Sequence, residues 1–244
     1  MTNIILVTSG KGGVGKSTVS VALGRSFAAI GRKTVIVELD VGLRGLDLML
    51  GVEDRAIYDL GDLLASRCSI NDAVIPVDRE GNLAVIVAPS NLTDVINYDD
   101  VALLCKGLTD YFDHVIIDAP AGIGVSVLLA PKVADMVLVV ATPDSVCVRD
   151  GGRLVALLSE YGAPNIRLVI NKINVKRIKA QEIKDMDQVI DGVGAQLIGT
   201  VPLDEGLASG NLDGDLKAKS RICAQVFENI VYRILGEDVE LLIQ

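Results

Sequence analysis

Short apolar runs punctuate the chain at residues 4–7, 35–39, 83–88, 115–117, 136–141, 168–170 and 197–198. Each is rich in β-branched residues and apolar at consecutive rather than alternate positions. A strand with one wet face alternates, whereas a strand covered on both faces does not. The pattern therefore predicts a parallel sheet packed between helices. Helix-length segments separate the runs at residues 14–30, 57–66, 100–112, 125–133, 146–161, 175–190 and 216–235. Alternation from end to end implies right-handed βαβ units and an α/β, doubly wound, mainly parallel sheet. Residues 74–77, followed by the polar turn Asp78-Arg79-Glu80-Gly81-Asn82, predict a short extra strand that is a candidate for antiparallel pairing. With no linker, low-complexity tract or internal repeat, residues 1–244 are expected to form a single domain.

Composition adds exclusions. Half of the 244 residues are apolar and 23% are charged, enough for a large core, but aromatics are 3% and Trp is absent. That core must be built from Val, Ile, Leu and Ala. The balance of 23 basic against 32 acidic residues, net −9, argues against sequence-independent DNA binding by the whole surface, leaving only a local basic patch. Cys68, Cys105, Cys147 and Cys223 form no C-x-x-C pair, and with the single His114 they offer no recognisable zinc or iron–sulfur ligand set. A disulfide framework is not expected at this density, which favours a reducing compartment. The opening MTNIILVTSG lacks a basic n-region, and no apolar stretch reaches the roughly 18 residues of a bilayer span. The expectation is a soluble, cytoplasmic protein.

In an open parallel sheet, ligands gather beyond the carboxyl ends of the strands. The first such loop, Gly10-Lys11-Gly12-Gly13-Val14-Gly15-Lys16-Ser17-Thr18, fits G-x-x-x-x-G-K-[ST] between a predicted strand and a predicted helix. Glycines let successive N–H groups turn around a phosphate, and the following helix adds its positive end. Lys16 is placed for the β- and γ-phosphates, the Ser17 hydroxyl for Mg²⁺, and Thr18 for the α-phosphate, which makes ATP with Mg²⁺ the expected cofactor pair. The extra Lys11 is by default a solvated lysine. The spelling Lys-Gly-Gly-Val-Gly-Lys-Ser, however, resembles the MinD/ParA family of deviant Walker A ATPases. That resemblance implies that Lys11 reaches across an ATP-dependent homodimer to the partner subunit's nucleotide, so Lys11 joins Lys16 as a catalytic candidate.

Asp40 closes the second strand and is placed either to direct a water at the γ-phosphoryl group or to cap the next turn. The wording Asp40-Val41-Gly42-Leu43-Arg44-Gly45-Leu46-Asp47 resembles the first switch of the MinD-like branch, which implies the water-directing role for Asp40. It also implies that Arg44 and Asp47 shape the switch and the interface. Asp118, after His114-Val115-Ile116-Ile117, has the Walker B pattern of a magnesium-holding aspartate, and Asp118-Ala119-Pro120-Ala121-Gly122 resembles the second switch. His114 itself reads as structural. Asn171, after a buried strand, is either an adenine-edge reader or a turn residue. The loop of Pro202 and Asp204 offers backbone groups to the same base, and the resemblance implies adenine contacts for both loops. Asp144 stands where the family carries Glu near the partner's nucleotide, with a helix N-cap as the competing reading.

The likeness runs through the whole chain, is most specific at residues 10–18, 38–50 and 118–123, and loosens after residue 171. It implies an ATP-hydrolysing dimerisation switch for spatial positioning, first of all division-site placement, with slow hydrolysis stimulated by an activating or cargo protein. ParA-like DNA segregation, metal-cluster insertion or electron transfer, and a non-hydrolysing regulatory module are the rivals. The family's membrane-binding segment is lysine-rich, whereas Glu237, Asp238 and Glu240 follow Gly236 here without a base. An anionic leaflet repels them by about 1 kcal/mol per charge, so peripheral membrane binding is only weakly supported and docking of Val239, Leu241, Leu242 and Ile243 onto protein is preferred. Lys172, Lys176, Arg177, Lys179 and Lys184, with Glu182 among them, form either a solvated helix face or a docking surface for protein or DNA. Lys16→Ala should abolish ATP binding, measured by calorimetry; undiminished affinity would remove the phosphate-loop assignment.

Overall fold

The computed structural model describes residues 2–41, 45–89, 96–180 and 185–242. Among these described residues, eight strands form one sheet: β1 (Ile4–Thr8), β2 (Thr34–Glu38), β3 (Ile75–Pro76), β4 (Leu83–Ile86), β5 (His114–Asp118), β6 (Met136–Ala141), β7 (Ile166–Ile173) and β8 (Gln196–Pro202). Their spatial order is β3-β4-β2-β5-β1-β6-β7-β8. Every pairing is parallel except β3 with β4. All seven apolar runs read as strands are strands, and the short segment near residue 75 pairs antiparallel as its hairpin-like setting suggested.

The helices are α1 (Lys16–Ala29), α2 (Leu46–Leu50), α3 (Leu60–Leu64), α4 (Ile70–Ala73), α5 (Tyr98–Leu108), α6 (Gly124–Val133) and α7 (Ser145–Glu160). They continue with α8 (Val175–Lys179), α9 (Met186–Val193), α10 (Glu205–Ala208), α11 (Leu216–Lys219) and α12 (Arg221–Ile234). One face of the sheet is covered by α1, α11 and α12, the other by α5, α6, α7 and α9. Strands β1, β2, β4, β5 and β6 are buried at every position, as the unbroken apolar runs require.

Boundaries differ from the sequence expectation where polar caps cut a helix. The segment at 57–66 starts its helix only at Leu60, because Asp59 and Asp62 form a reciprocal capping box. The segment at 175–190 holds two helices, the second begun by Asp185, whose Oδ1 accepts from the Gln188 N–H at 2.9 Å. The segment at 216–235 is broken at Ser220 (φ −157°, ψ 114°), whose Oγ accepts from the Cys223 N–H and restarts the chain as α12. Glu182, Lys184, Arg44 and Ile243 lie outside the described residues.

Two details anchor the periphery. His114 is buried, stacks on Phe27 with ring centroids 4.0 Å apart, and places Nδ1 3.1 Å from the Thr2 carbonyl. Burial lowers its pKa, consistent with a packing role. Beyond α12, the Arg233 guanidinium donates to the carbonyls of Ile198 (2.8 Å), Val239 (2.8 Å) and Glu240, while Thr200 Oγ1 donates to Leu242 O at 2.9 Å. Residues 239–242 are thus tethered beside β8, and Leu242 packs against the core. The docked reading of the apolar tail residues holds for Leu242.

Helices α7 and α9 approach closely because glycines meet: a Cβ on Gly152 would sit 2.5 Å from the Gly192 carbonyl oxygen. Gly152→Ala should therefore destabilise the fold by about 2 kcal/mol, as overpacking does, read as a lower urea midpoint.

Candidate active site

Strand β1 lies between β5 and β6, the place where the winding of the sheet reverses, and its carboxyl end delivers the glycine loop to that crevice. Gly13 (φ +78°) and Gly15 (φ +90°) adopt left-handed conformations that residues with a Cβ avoid. Around Gly12 and Gly13 nothing stands within 4 Å of a Cβ position, while on Gly10 a Cβ would meet the Asp150 carbonyl group at 2.5 Å. Gly10 thus seats the loop on α7, and Gly12 and Gly13 keep its outer wall open. Helix α1 then begins at Lys16 with no side-chain cap and no acid in its first turn, leaving its positive end for an anion.

The centre of the site is the Asp118 carboxylate at the end of β5, fully buried. Its Oδ1 accepts from Ser20 Oγ at 2.7 Å and lies 3.0 Å from Lys16 Nζ, and its Oδ2 accepts from Ser17 Oγ at 2.7 Å. Lys16 Nζ also lies 3.2 Å from Ser17 Oγ. Lys16, Ser17 and Asp118 therefore meet as the sequence reading expected, while Thr18 sits half-buried in the same first turn of α1. Ser20 is a further member, legible only once α1 is laid beside β5.

Asp40 follows β2, half-buried. Its pKa is raised by burial and by Asp118, against the pull of Lys16, so it stands within electrostatic reach of both. Glu38, two residues earlier, is buried: Oε1 accepts from the N–H groups of Gly45 (2.9 Å) and Leu46 (3.1 Å), Oε2 from that of Ala88 (3.1 Å). Burial raises its pKa and these bonds oppose the rise. Glu38 thus pins the far end of the loop that Asp40 opens, a role its place in an apolar run concealed. Asp47 is buried on α2, with Oδ1 accepting from the Leu48 N–H at 2.9 Å. The segment after β5 is tied to the residue before the glycine loop by Gly122 N–H donating to Ser9 O at 2.8 Å.

A cavity of about 280 Å³ opens beside the glycine loop, lined by Lys11, Gly12, Gly13, Val14, Thr142, Pro143, Asp144, Lys172, Asn174, Arg177 and Leu203. Lys11 is about half exposed and lies 3.7 Å from Asp144. Asp144 caps α7, accepting from the Cys147 N–H at 3.0 Å and from Thr142 Oγ1 at 2.6 Å. Burial works to raise its pKa, but these bonds and Lys11 hold it below the ordinary value. Asn171 is buried; its Nδ2 donates to Val14 O at 2.8 Å and its Oδ1 accepts from the Lys172 N–H at 2.8 Å. One amide hydrogen and one lone pair remain for a base edge. The Asp204 carboxylate caps α10 at Leu207 N (3.2 Å) and accepts from Ser220 Oγ (2.9 Å), and Pro202 pairs in register with Ile173. What this loop turns toward the cavity is Leu203, which the sequence reading passed over. A larger cleft of about 560 Å³ lies at the other end of the sheet, between the last turn of α1 and the start of β4, and includes none of these residues.

The open glycine wall and the uncapped helix start fit a polyphosphate tail. The Ser17 and Asp118 oxygens, 2.7 Å apart, fit the hard-oxygen preference of Mg²⁺, which takes few protein ligands alongside phosphates and waters. A parallel sheet with this loop at its switch point and an aspartate facing it defines a P-loop NTPase. A family model described as "ParA: NUBPL iron-transfer P-loop NTPase" matches residues 1–235. The chain is 35% identical over 246 residues to septum site-determining protein MinD of Synechocystis sp., covering 99% of this chain and 92% of that protein. It is 35% identical over 247 residues to MinD of Bacillus subtilis, with the same shares of 99% and 92%. In three dimensions it matches a chain of the MinC:MinD cell division protein complex of Aquifex aeolicus with a TM-score of 0.88, at 28% identity over 99% of both chains. MinD of Pyrococcus horikoshii, complexed with Mg-ADP, matches with a TM-score of 0.82 at 25% identity over 96% of each chain. The chain belongs to the MinD/ParA family of P-loop ATPases and is an ATP-hydrolysing enzyme.

Asp40→Ala should leave ATP bound but lower phosphate release by at least about 100-fold, the scale of a lost general base. Because its pKa is raised, the carboxylate form is reached at higher pH than for an ordinary aspartate. Wild-type turnover should accordingly climb with pH through that elevated value, and the residual turnover of the variant should lack the climb.

Proposed function

We propose that this chain is a MinD-type switch for division-site placement, which binds ATP with Mg²⁺, pairs with a second copy over the nucleotides, and separates after hydrolysis. With ATP as substrate, a bound Mg²⁺ would supply neutralisation of negative charge at the γ-phosphoryl group. Lys16 and the amides of the glycine loop would hold the phosphates, Ser17 and Asp118 would hold the metal, and Asp40 would direct the attacking water. Asn171 and the Pro202–Asp204 loop border the base.

The observation that carries this reading is the contrast between two lysines of one loop. The Lys16 side chain is 7% exposed and paired with Asp118, whereas the Lys11 side chain is 47% exposed. A cation presented outward beside a phosphate site suits a neighbouring subunit's triphosphate. If ATP is completed only at the joint interface, nucleotide stabilises the dimer and the dimer tightens nucleotide, by mass action. The Aquifex relative's complex with MinC supports a protein partner here too. The dispersed cysteines, three of them buried, give less support to metal-cluster transfer. No helix among the described residues is long and apolar enough to cross a membrane. The reading places the protein in the cytoplasm, with contact at the inner face of the membrane less supported because of Glu237, Asp238 and Glu240.

Lys11→Ala should bind ATP as a monomer, while wild type with ATP and Mg²⁺ should sediment as a dimer. An intact ATP-dependent dimer in the variant would count against the cross-subunit role.

A further inference from the structure

We infer that Lys172, at the end of β7, is a positioning residue that presets the phosphate loop for nucleotide, an inference that rests on the ATP-binding reading above. Three observations meet in it. Lys172 Nζ donates to the Gly13 carbonyl at 2.7 Å, across 159 positions of sequence. Its neighbour Asn171 donates to the next carbonyl, that of Val14, at 2.8 Å. Lys172 itself holds φ at +57°, in the left-handed region that a residue with a Cβ enters only when its surroundings impose it.

The peptide unit is planar and trans, so each carbonyl points opposite to the N–H of the following residue. With Gly13 O drawn to Lys172 and Val14 O drawn to Asn171, the N–H groups of Val14 and Gly15 are turned the other way. Glycine on both flanks leaves this stretch free to rotate, with Gly13 at φ +78° and Gly15 at φ +90°. A loop free to rotate must lose that freedom when an anion binds, whereas a loop fixed beforehand loses less. Asn171 also packs close against Gly15, its Nδ2 standing where a Cβ on that residue would collide. The left-handed backbone at Lys172 turns the strand end so that both side chains reach adjacent carbonyls of one loop.

The test compares wild type with Lys172→Met, Lys172→Gly and Lys172→Arg as full-length chains, using ATP and ADP with Mg²⁺ in calorimetry. Met keeps the length without a donor, Gly relieves the backbone and removes the donor, and Arg restores a charged donor. Met and Gly should each bind both nucleotides about ten-fold more weakly, within the range for losing a charge-assisted hydrogen bond. Arg should recover most of that loss, and KM should rise more than kcat falls. In the nucleotide-free protein, the amide resonances of Val14 and Gly15 should shift in the Met variant and return in the Arg variant. Thermal unfolding checks each variant's fold; if Met does not fold, the unstrained Gly variant carries the comparison. Wild-type affinity in the Met or Gly variant, or failure of Arg to recover binding, overturns the positioning role while leaving ATP binding intact. Absence of ATP binding by the wild-type chain overturns the reading beneath it.

Discussion

A carboxylate with no exposure to water must be compensated where it stands, and Asp118 is such a group. Its compensation comes from Lys16, Ser17 and Ser20, all on the first turns of α1. The requirement therefore joins the end of β5 to the start of the helix after β1. The backbone of the same residue extends the link, since the Leu39 N–H donates to Asp118 O at 3.0 Å and sets the exit of β2. The Ser17 and Asp118 oxygens, the Lys16 ammonium and Asp40 take their relative positions from this one junction. Removal of any partner would leave buried polarity unmatched, which couples the chemistry to the stability of the core.

The two halves of the sheet divide the work. Strands β1, β2 and β5 bring together Lys16, Asp40 and Asp118, each arriving at or just beyond a strand's carboxyl end. Strands β6, β7 and β8 bring Asp144, Asn171, Lys172 and Leu203 around the outer side of the loop. On the loop between the halves, Lys11 is presented outward whereas Lys16 is buried.

The strands were legible because burial on both faces writes itself as unbroken apolar runs, and the phosphate loop because its spelling is dictated by backbone geometry. Asp40 and Asp118 were legible as acids ending such runs. Glu38 was not, because its partners Gly45, Leu46 and Ala88 are chosen by the fold, the last of them fifty positions away. Lys172 read as one more charge of a basic stretch, since its carbonyl partner lies on another strand's loop. The helix boundaries at Ser220 and Asp185 were missed for a local reason: apolar spacing continues across both, and only the capping bond shows that the helix restarts.

The sheet has two outermost strands, and neither offers a bare ladder. β3 is two residues long and one of them is Pro76, which has no N–H to give. On the far side, the guanidinium of Arg233 already occupies Ile198 O, and residues 239–242 lie alongside. Crowded copies of this molecule are thereby discouraged from zipping together strand to strand into fibrils, even where local concentration is high.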